Sequence, residues 1–422
     1  MTMRFPTELI SAESGEDVWL QFADTGSPLV LTGCRELLPF FRTILTEWPH
    51  EVRTAPDPAQ PTPFLFIEKS NLKYVMHSQF MDASKTFSDP VDLVCAVIVE
   101  IAWETLRHNP EWLCLHCAAI EKDSRLIVFP NTRRAGKSTM TTALGLRGMN
   151  IFTDDFMALD VGKDGHVAGM ASGIAPRMRL PWPASVSEPL RNRLISSEVV
   201  RSARYSYHAT LENMPVKRGR RRPIGAFVIL DRAENCEAEF LPASRAEALR
   251  ATITQNFSRA GNAGRILQML YYLACNLPTL RLRYSDTEAA AALVDDYFSK
   301  SPLALPKEPA PETDPANYKT PDLQNRKNGA PLPSNGKLVR AGGVIEYLLD
   351  DTHFLADEEG YGIFRLDPLS GAAWNLLQTP ASLEEMIDIF QHAFPEQAPD
   401  VISHDIQMLL RDMFRNRLIE VA

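Results

Sequence analysis

The 422-residue chain is short of cysteine, of long apolar runs and of basic charge, and each shortage removes a class of protein. Its six cysteines (Cys34, Cys95, Cys114, Cys117, Cys236 and Cys275) are scattered along the whole length, so they read as reduced thiols rather than as a disulfide framework. No stretch of about 18 apolar residues is present, so no helix should span a bilayer and no membrane partner is expected. Residues 1–19 hold no apolar segment ahead of their acidic residues, so no secretory signal is expected and the chain reads as cytoplasmic. Lys and Arg total 44 against 53 Asp and Glu, a net charge of −9, which argues against a general nucleic-acid partner. No internal repeat is visible.

What remains is the profile of a soluble protein of two or three domains, 45% hydrophobic and 23% charged. The clearest boundary is a Pro-rich segment at 302–337, dense in Pro, Asn and charge, which reads as an extended linker. It leaves an α+β region at 1–110 without a chemical motif, an α/β region at 111–301 and a compact unit at 338–422. Residues 1–110 suit a support or oligomerisation role, and self-association is left open. Leu29–Thr32 and Phe64–Ile67 read as strands. Pro90–Arg107 reads as a largely buried helix with Pro in its first turn. Ile224–Leu230 reads as a buried strand and Arg265–Cys275 as a helix, an α/β layer pattern. After the linker, Val344–Leu349, Thr352–Ala356 and Gly362–Leu366 read as strands, the first two joined at Asp350-Asp351. Leu369–Leu377, a segment capped by Ser382, and Val401–Arg415 read as helices.

The chemistry concentrates at 126–155. Leu126–Phe129 is a short apolar run that suits a buried strand. Asn131, Thr132, Arg133, Arg134, Ala135, Gly136, Lys137, Ser138 and Thr139 follow it, ending in the AGKST of a P-loop. The order has a physical logic. A tight loop turns consecutive backbone N–H groups toward phosphates, and Gly136 permits close approach. Lys137 reaches the terminal phosphates, and the Ser138 hydroxyl suits Mg²⁺. The helix expected over Ser138–Arg147 aims its positive end at the anion. Asn131 stands where the pattern has its leading glycine, and Asn tolerates left-handed backbone well enough to keep the turn. Asn150–Thr153 reads as the next strand and ends in Asp154-Asp155, where carboxylates can hold Mg²⁺ and deprotonate a hydroxyl. His116 lies on an apolar-flanked segment just before the loop's strand.

Together, His116-Cys117-Ala118-Ala119, the strand, the loop, the helix ending Arg147-Gly148 and the strand ending Asp154-Asp155 resemble the HPr kinase/phosphorylase family. The likeness runs over roughly 111–300 and is strongest over 113–160. It implies a P-loop catalytic domain of the phosphoenolpyruvate carboxykinase-like type, using ATP and Mg²⁺. It makes Asp154 the base for the acceptor hydroxyl, Asp155 a metal and phosphate residue with Ser138, and His116 a neighbour of the reacting phosphate. It also points to Arg265, in the step Gly264-Arg265, as a catalytic arginine. The family's long signature for contacting HPr is absent, so a different substrate is implied.

Residues 338–422 resemble the PqqD family through Val339-Arg340, Tyr361–Leu366 and Leu369–Leu377 with its Trp374, followed by two further helices. That likeness implies a winged-helix domain that binds a peptide as an added strand at a sheet edge. The acidic Asp350, Asp351, Asp357, Glu358 and Glu359 weigh against DNA as its ligand.

Two further features allow more than one interpretation. The basic run 217–222 suits a solvated loop or a flap over anionic phosphates. Cys114-Leu115-His116-Cys117 is a single C-x-x-C, weak for zinc, and fits a core segment better. The whole is expected to be an ATP-dependent kinase acting on a hydroxyl, with serine the expected acceptor, on a peptide or small protein recruited through 338–422. The alternatives are a small-molecule kinase, for example of free serine, and a catalytically inactive nucleotide-binding adaptor.

Overall fold

The first strands of the chain are short apolar runs (VWLQF, LVLT), and they build a six-stranded sheet. Its order is His50–Arg53, Val18–Phe22, Leu29–Thr32, Leu65–Ser70, Lys73–Ser78, Lys85–Phe87. The pairings are antiparallel except the parallel pair Leu29–Thr32 and Leu65–Ser70. This is a computed structural model, and it describes residues 17–55, 61–132, 134–208, 215–258, 262–311, 332–333 and 336–422. The expected linker at 302–337 lies largely outside the described residues. The chain divides into two compact units. The first holds the chain up to Ala243, with 254–258 and 276–310; the second holds 244–253, 259–275 and 311 onward.

In the first unit, helix Pro90–His108 covers one face of the six-stranded sheet. Asp89 caps it by accepting from the N–H groups of Val91 and Asp92, and Pro90 sits where no N–H is needed. Leu93, Val94, Val97, Ile98 and Ile101 then bury against Leu20, Leu31 and Ile67. The same core continues without a break into Trp112, Phe156, Met170 and Tyr207. Residue 110 is therefore no boundary in the packing. Apolar side chains on both sides of it exclude water together.

A second, nine-stranded sheet carries the chemistry. Its spine is the twelve-residue strand Arg221–Arg232. Along that strand, Arg125–Phe129 pairs in parallel on one side and Thr279–Tyr284 in parallel on the other. Ala118–Lys122 lies antiparallel to Arg125–Phe129, and Asn150–Thr153 antiparallel to Ala118–Lys122. Leu126, Ile127, Val128 and Phe129 are all buried, as a strand covered on both faces requires. Helix Lys137–Gly145 covers one face. Its Met140, Ala143 and Leu144 share a core with Ala290, Ala291 and Val294 of helix Thr287–Lys300.

The second unit contains an antiparallel meander, Ile345–Leu349, Thr352–Ala356 and Ile363–Arg365. Asp350 and Asp351 turn its first hairpin with φ of 45° and 61°, the doubly left-handed turn that matches strand twist. A second small sheet joins Lys337–Arg340 to Ala381–Ser382 and Ile419–Val421. Helices Pro368–Leu376, Leu383–Ala393 and Pro399–Arg415 pack around Trp374, Phe390, Ile406 and Leu410. Ser382 and Glu385 close a reciprocal capping box on the middle helix. Helix Ala263–Asn276 adds Tyr271, stacked on Tyr347 with ring centroids 4.1 Å apart, and the Ala263 N–H donates to Gly360 O at 3.0 Å.

Four side chains pin this unit together. Glu346 accepts from Trp374 Nε1 at 2.9 Å, from Arg340 at 2.9 Å and from His353 Nδ1 at 2.7 Å. Arg340 also lies 4.3 Å over the Trp374 ring and donates to Trp374 O at 2.8 Å. One carboxylate thus collects three donors from two strands and a helix. Glu346→Ala leaves Trp374, half-buried Arg340 and His353 without their acceptor, and should cost about 2 kcal/mol. Urea unfolding followed through tryptophan fluorescence should show a lower midpoint; an unchanged midpoint would mean that water replaces the carboxylate without loss.

Candidate functional site

At the end of strand Arg125–Phe129 the chain leaves the sheet, loops through 130–136 and enters helix Lys137–Gly145. The first N–H groups of that helix have no intrahelical acceptor and open toward the loop. Two residues carry the left-handed turns, Arg134 at φ 68° and Gly136 at φ 98°. At Gly136 a Cβ would lie 2.7 Å from the Tyr284 hydroxyl, so glycine is required there on both counts.

Asn131 does something other than the left-handed turn expected of it. Its amide donates to Leu230 O and accepts from Leu230 N, both at 2.9 Å. The side chain imitates a strand partner and ties the loop's start to the spine strand. Lys137 is buried and its Nζ donates to Asn131 O at 2.6 Å and Thr132 O at 3.2 Å, bracing the loop from inside. Ala135 N approaches Thr132 O at 3.4 Å. Arg133 lies outside the described residues.

The acid pair arrives on strand Asn150–Thr153. The Thr153 hydroxyl donates to Phe156 O at 2.7 Å and accepts from Asp155 N at 3.3 Å, which fixes the turn. Asp154 is 5% exposed. Its carboxylate accepts from the Arg177 backbone N–H at 2.8 Å. Burial, with the Asp155 charge beside it, pushes its pKa up to about 6 from 3.8. Asp155 goes the other way. Burial opposes its ionisation, but the Arg177 guanidinium at 3.2 Å and His116 Nε2 at 3.3 Å outweigh burial and hold it well below the usual carboxylate range. Two adjacent aspartates are thereby driven apart, one locked as an anion and one poised to exchange a proton.

The orientation of His116 follows from its other nitrogen. The amide nitrogen of Gln255, in the orientation that satisfies its neighbours, sits 3.1 Å from His116 Nδ1, His116 O and Asn131 O. Nδ1 is then the acceptor, and Nε2–H donates to Asp155. Gln255 links the histidine to the loop in the same step.

His116, Lys137, Ser138, Asp154 and Asp155 line one cavity of about 510 Å³, with Arg134 and Gly136 from the loop and Thr139 from the helix. The described lining does not include Asn131, Thr132 or Ala135, which act behind the loop. Arg265 lies on helix Ala263–Asn276, in the second unit. Two residues essential to the arrangement, Arg177 and Gln255, carry no local motif. For Arg177 the only sequence signal is the alternation Arg177-Met178-Arg179 on a short strand.

The basic run 217–222 begins as a mostly exposed turn, as a solvated loop would, but its arginines are paired with acids of the fold and do not line the cavity. Arg218 is buried 3.7 Å over the Trp48 ring and pairs with Asp24, Arg220 and Arg222 both pair with buried Glu121, and Arg221 pairs with Asp160. Cys114 and Cys117 are buried, and burial pushes their thiols up, Cys117 to about 12, against the thiolate form a metal needs.

Among the described residues no group of three or more His, Cys, Asp and Glu is placed to hold a metal. Mg²⁺ asks for less: one or two protein oxygens, with phosphate and water completing its shell. The Ser138 hydroxyl and the permanently ionised Asp155 are hard oxygen donors of that kind. Lys137 and the helix N–H groups are the matching donors for a polyphosphate. The residues present fit ATP with Mg²⁺.

Comparison with protein families matches residues 352–419 to the model described as coenzyme PQQ synthesis protein D (PqqD). Among solved structures, the chain is similar to the Hpr(Ser) kinase/phosphatase from Coxiella burnetii, with a TM-score of 0.23 and 10% identity over 44% of this chain and 97% of that one. Comparison with curated proteins gives no match. Among the described residues no helix is long and apolar enough to cross a membrane.

The raised pKa of Asp154 has a consequence for stability. Between about pH 4 and pH 6 the unfolded state has lost this proton while the folded state keeps it, so the group's contribution falls as pH rises through that window. Above it, folding carries the cost of a buried anion, about 2–3 kcal/mol. Asp154→Asn should therefore raise stability at pH 7.5 by up to that amount, and the gain should vanish by pH 4. Denaturant midpoints across pH check this, and a gain that is independent of pH would contradict it.

Proposed function

We propose that the chain is an ATP-dependent kinase of the HPr kinase-related type, transferring a phosphoryl group to a hydroxyl, with serine the expected acceptor. The observation that carries this reading is the split acid pair beside the loop. Asp154, with a pKa of about 6, is mostly ionised at neutral pH and still basic enough to take a hydroxyl proton. Asp155 is held ionised by Arg177 and His116 and offers a fixed anion at the same place. Bound ATP with Mg²⁺ would supply the phosphoryl group and neutralise charge as it transfers.

The chain's own residues then have separate tasks. Lys137 leaves its two loop carbonyls to meet the terminal phosphates. Ser138 and Asp155 offer the oxygens for Mg²⁺, and His116 keeps Asp155 oriented through Nε2–H. Asp154 receives the acceptor's proton, and the Arg177 backbone N–H keeps the carboxylate aimed. Asn131 weighs against the inactive-adaptor alternative, because its replacement of glycine leaves the left-handed turns to Arg134 and Gly136 and strengthens the loop's anchor.

The region matched by the PqqD model belongs, in this reading, to a winged-helix module that captures a peptide or small protein by adding a strand to a sheet edge. Residues 338–422 would then recruit the acceptor, and the α/β region would act on it.

Two measurements test the reading. Lys137→Ala and Asp154→Asn should each lower ATP-dependent phosphoryl transfer by at least about a hundredfold; retained turnover in Asp154→Asn would sink its role as base. In the unmodified chain the transfer rate under saturating conditions should rise with pH through about 6 and then level off, because only ionised Asp154 accepts the proton. A rate flat from pH 5 to pH 8 would assign the proton to another group. Hydrogen exchange supplies a check on the module: a captured peptide should slow backbone exchange within 345–365, and no protection there would remove the recruitment role.

A further inference from the structure

Two groups of cationic residues line the cavity. The loop wall carries Arg134 and Lys137 together with the helix N–H groups, all suited to a polyphosphate. The strand Arg177–Arg179, with Arg204 and Tyr205, supplies the other part of the lining. On it, Arg177 is committed to Asp155. Arg179 and Arg204 are exposed at the cavity, and among the described residues Arg179 has no carboxylate partner. The ion pair of Arg204, with Asp92, is long at 3.8 Å, and the Arg204 side chain is 68% exposed.

These arginines are held in place. Arg179 pairs in register with Tyr205 across the small sheet. The three guanidinium carbons of Arg177, Arg179 and Arg204 lie 5.1, 5.9 and 5.4 Å from the centre of the Tyr205 ring. A tyrosine face orders a cation without neutralising it. Tyr205 therefore orders one arginine with no carboxylate partner among the described residues, Arg179, and one that is only loosely paired, Arg204, both in the lining that Asp154 shares. An acceptor with a neutral surround would leave Arg179 unanswered and Arg204 only loosely paired in a cavity that already holds four other cationic side chains, Arg134, Lys137, Arg177 and Arg232.

The geometry points to an acceptor whose hydroxyl stands close to a carboxylate, which Arg179 and Arg204 bind while Asp154 takes the hydroxyl proton. The inference rests on the kinase reading for the hydroxyl, and on the arginine wall for the anion. Arg179 and Arg204 are positioning residues for the acceptor. The carboxylate has two sources: acidic residues flanking a serine in a peptide, or the carboxylate of a free hydroxy amino acid.

The test uses the full chain, with Arg179→Gln, Arg204→Gln, the double variant and the charge-reversed pair Arg179→Glu with Arg204→Glu. The probes are a fluorescein-labelled serine heptapeptide with glutamate on both sides of the serine, the same peptide with glutamine there, the same peptide with lysine there, and free serine as competitor. Anisotropy should show the glutamate peptide binding about tenfold more tightly than the glutamine one. The double variant should bring the two within about twofold while the affinity for a fluorescent ATP analogue stays within about twofold. The charge-reversed pair should prefer the lysine peptide, which guards against a variant that merely misfolds. Competition by free serine assigns the carboxylate to a small acceptor, and its failure to compete assigns it to the peptide's flanks. Equal binding of the glutamate and glutamine peptides by the unmodified chain, or a preference that survives in the double variant, overturns the inference. If that preference is present and depends on the arginines but no phosphoryl transfer occurs to any probe, the acceptor wall stands and the kinase reading falls. Transfer to glutamate and glutamine peptides alike leaves the kinase reading and removes the wall.

Discussion

Arg177 reaches both aspartates with different atoms, and the site depends on that difference. Its guanidinium charge is given to Asp155, which becomes a fixed anion in spite of burial. Its backbone N–H, which carries no net charge, is given to Asp154. Asp154 feels the guanidinium charge too, without an ion pair to it, and that charge with the amide hydrogen bond does not outweigh burial and the neighbouring anion, so its pKa rises. Were the guanidinium shared evenly, both acids would be ionised well below neutral pH and neither would suit a proton exchange there. The guanidinium is in turn steered from behind, by Cys95 Sγ at 2.6 Å and by the Tyr205 ring. Helix Pro90–His108 thus reaches the acid pair through a single thiol contact, which is a reason for the first sheet and the loop-bearing sheet to share one core.

The parts of the fold legible in the sequence are those whose signal is local. Leu29–Thr32, Asn150–Thr153 and Thr352–Ala356 appear in the structure with the bounds their apolar patterns suggest. The helix begun by Asp89-Pro90 and the capping box at Ser382 are written in adjacent residues. Strands Arg177–Arg179, Glu198–Arg201 and Tyr205–His208 are not legible, because three or four residues with one or two apolar positions each give too short a pattern; their sheet is held by cross-strand pairing and by buried polar contacts such as those of His208 with Ser197 and Ser206. The site divides in the same way. His116, Lys137, Ser138, Asp154 and Asp155 follow from one strand–loop–helix–strand passage, whereas Gln255 acts on His116 across 139 positions of sequence. Arg265 was suggested by a dipeptide alone, and the fold carries that dipeptide into the second unit.

The basic run at 217–222 shows why charge alone is a poor guide to function. Four of its arginines meet Asp24, Glu121 and Asp160, so they neutralise acids of the fold and offer little to a ligand. Glu121 is buried and would be expensive to ionise alone; Arg220 and Arg222 satisfy the same oxygen at 2.9 and 2.6 Å. The cations that face the cavity come instead from residues scattered over nearly a hundred positions, Arg134 to Arg232, and none of them stands in a run.

That contrast bears on how an anionic acceptor would be taken up by a chain of net charge −9. At distances beyond a Debye length, about 8–10 Å at physiological salt, the net charge is screened and neither attracts nor repels strongly. Within the cavity the local balance decides, and six cationic side chains face two aspartates there. A positive pocket in an acidic protein therefore discriminates at contact rather than steering from afar, and long-range attraction adds little to the encounter. The encounter would need another source of effective concentration, which the proposed peptide-capturing module on the same chain would supply without any change in the pocket's own affinity. Capture and choice would then be separate tasks, the first proposed for backbone hydrogen bonds at a sheet edge, the second for two arginines ordered on one tyrosine.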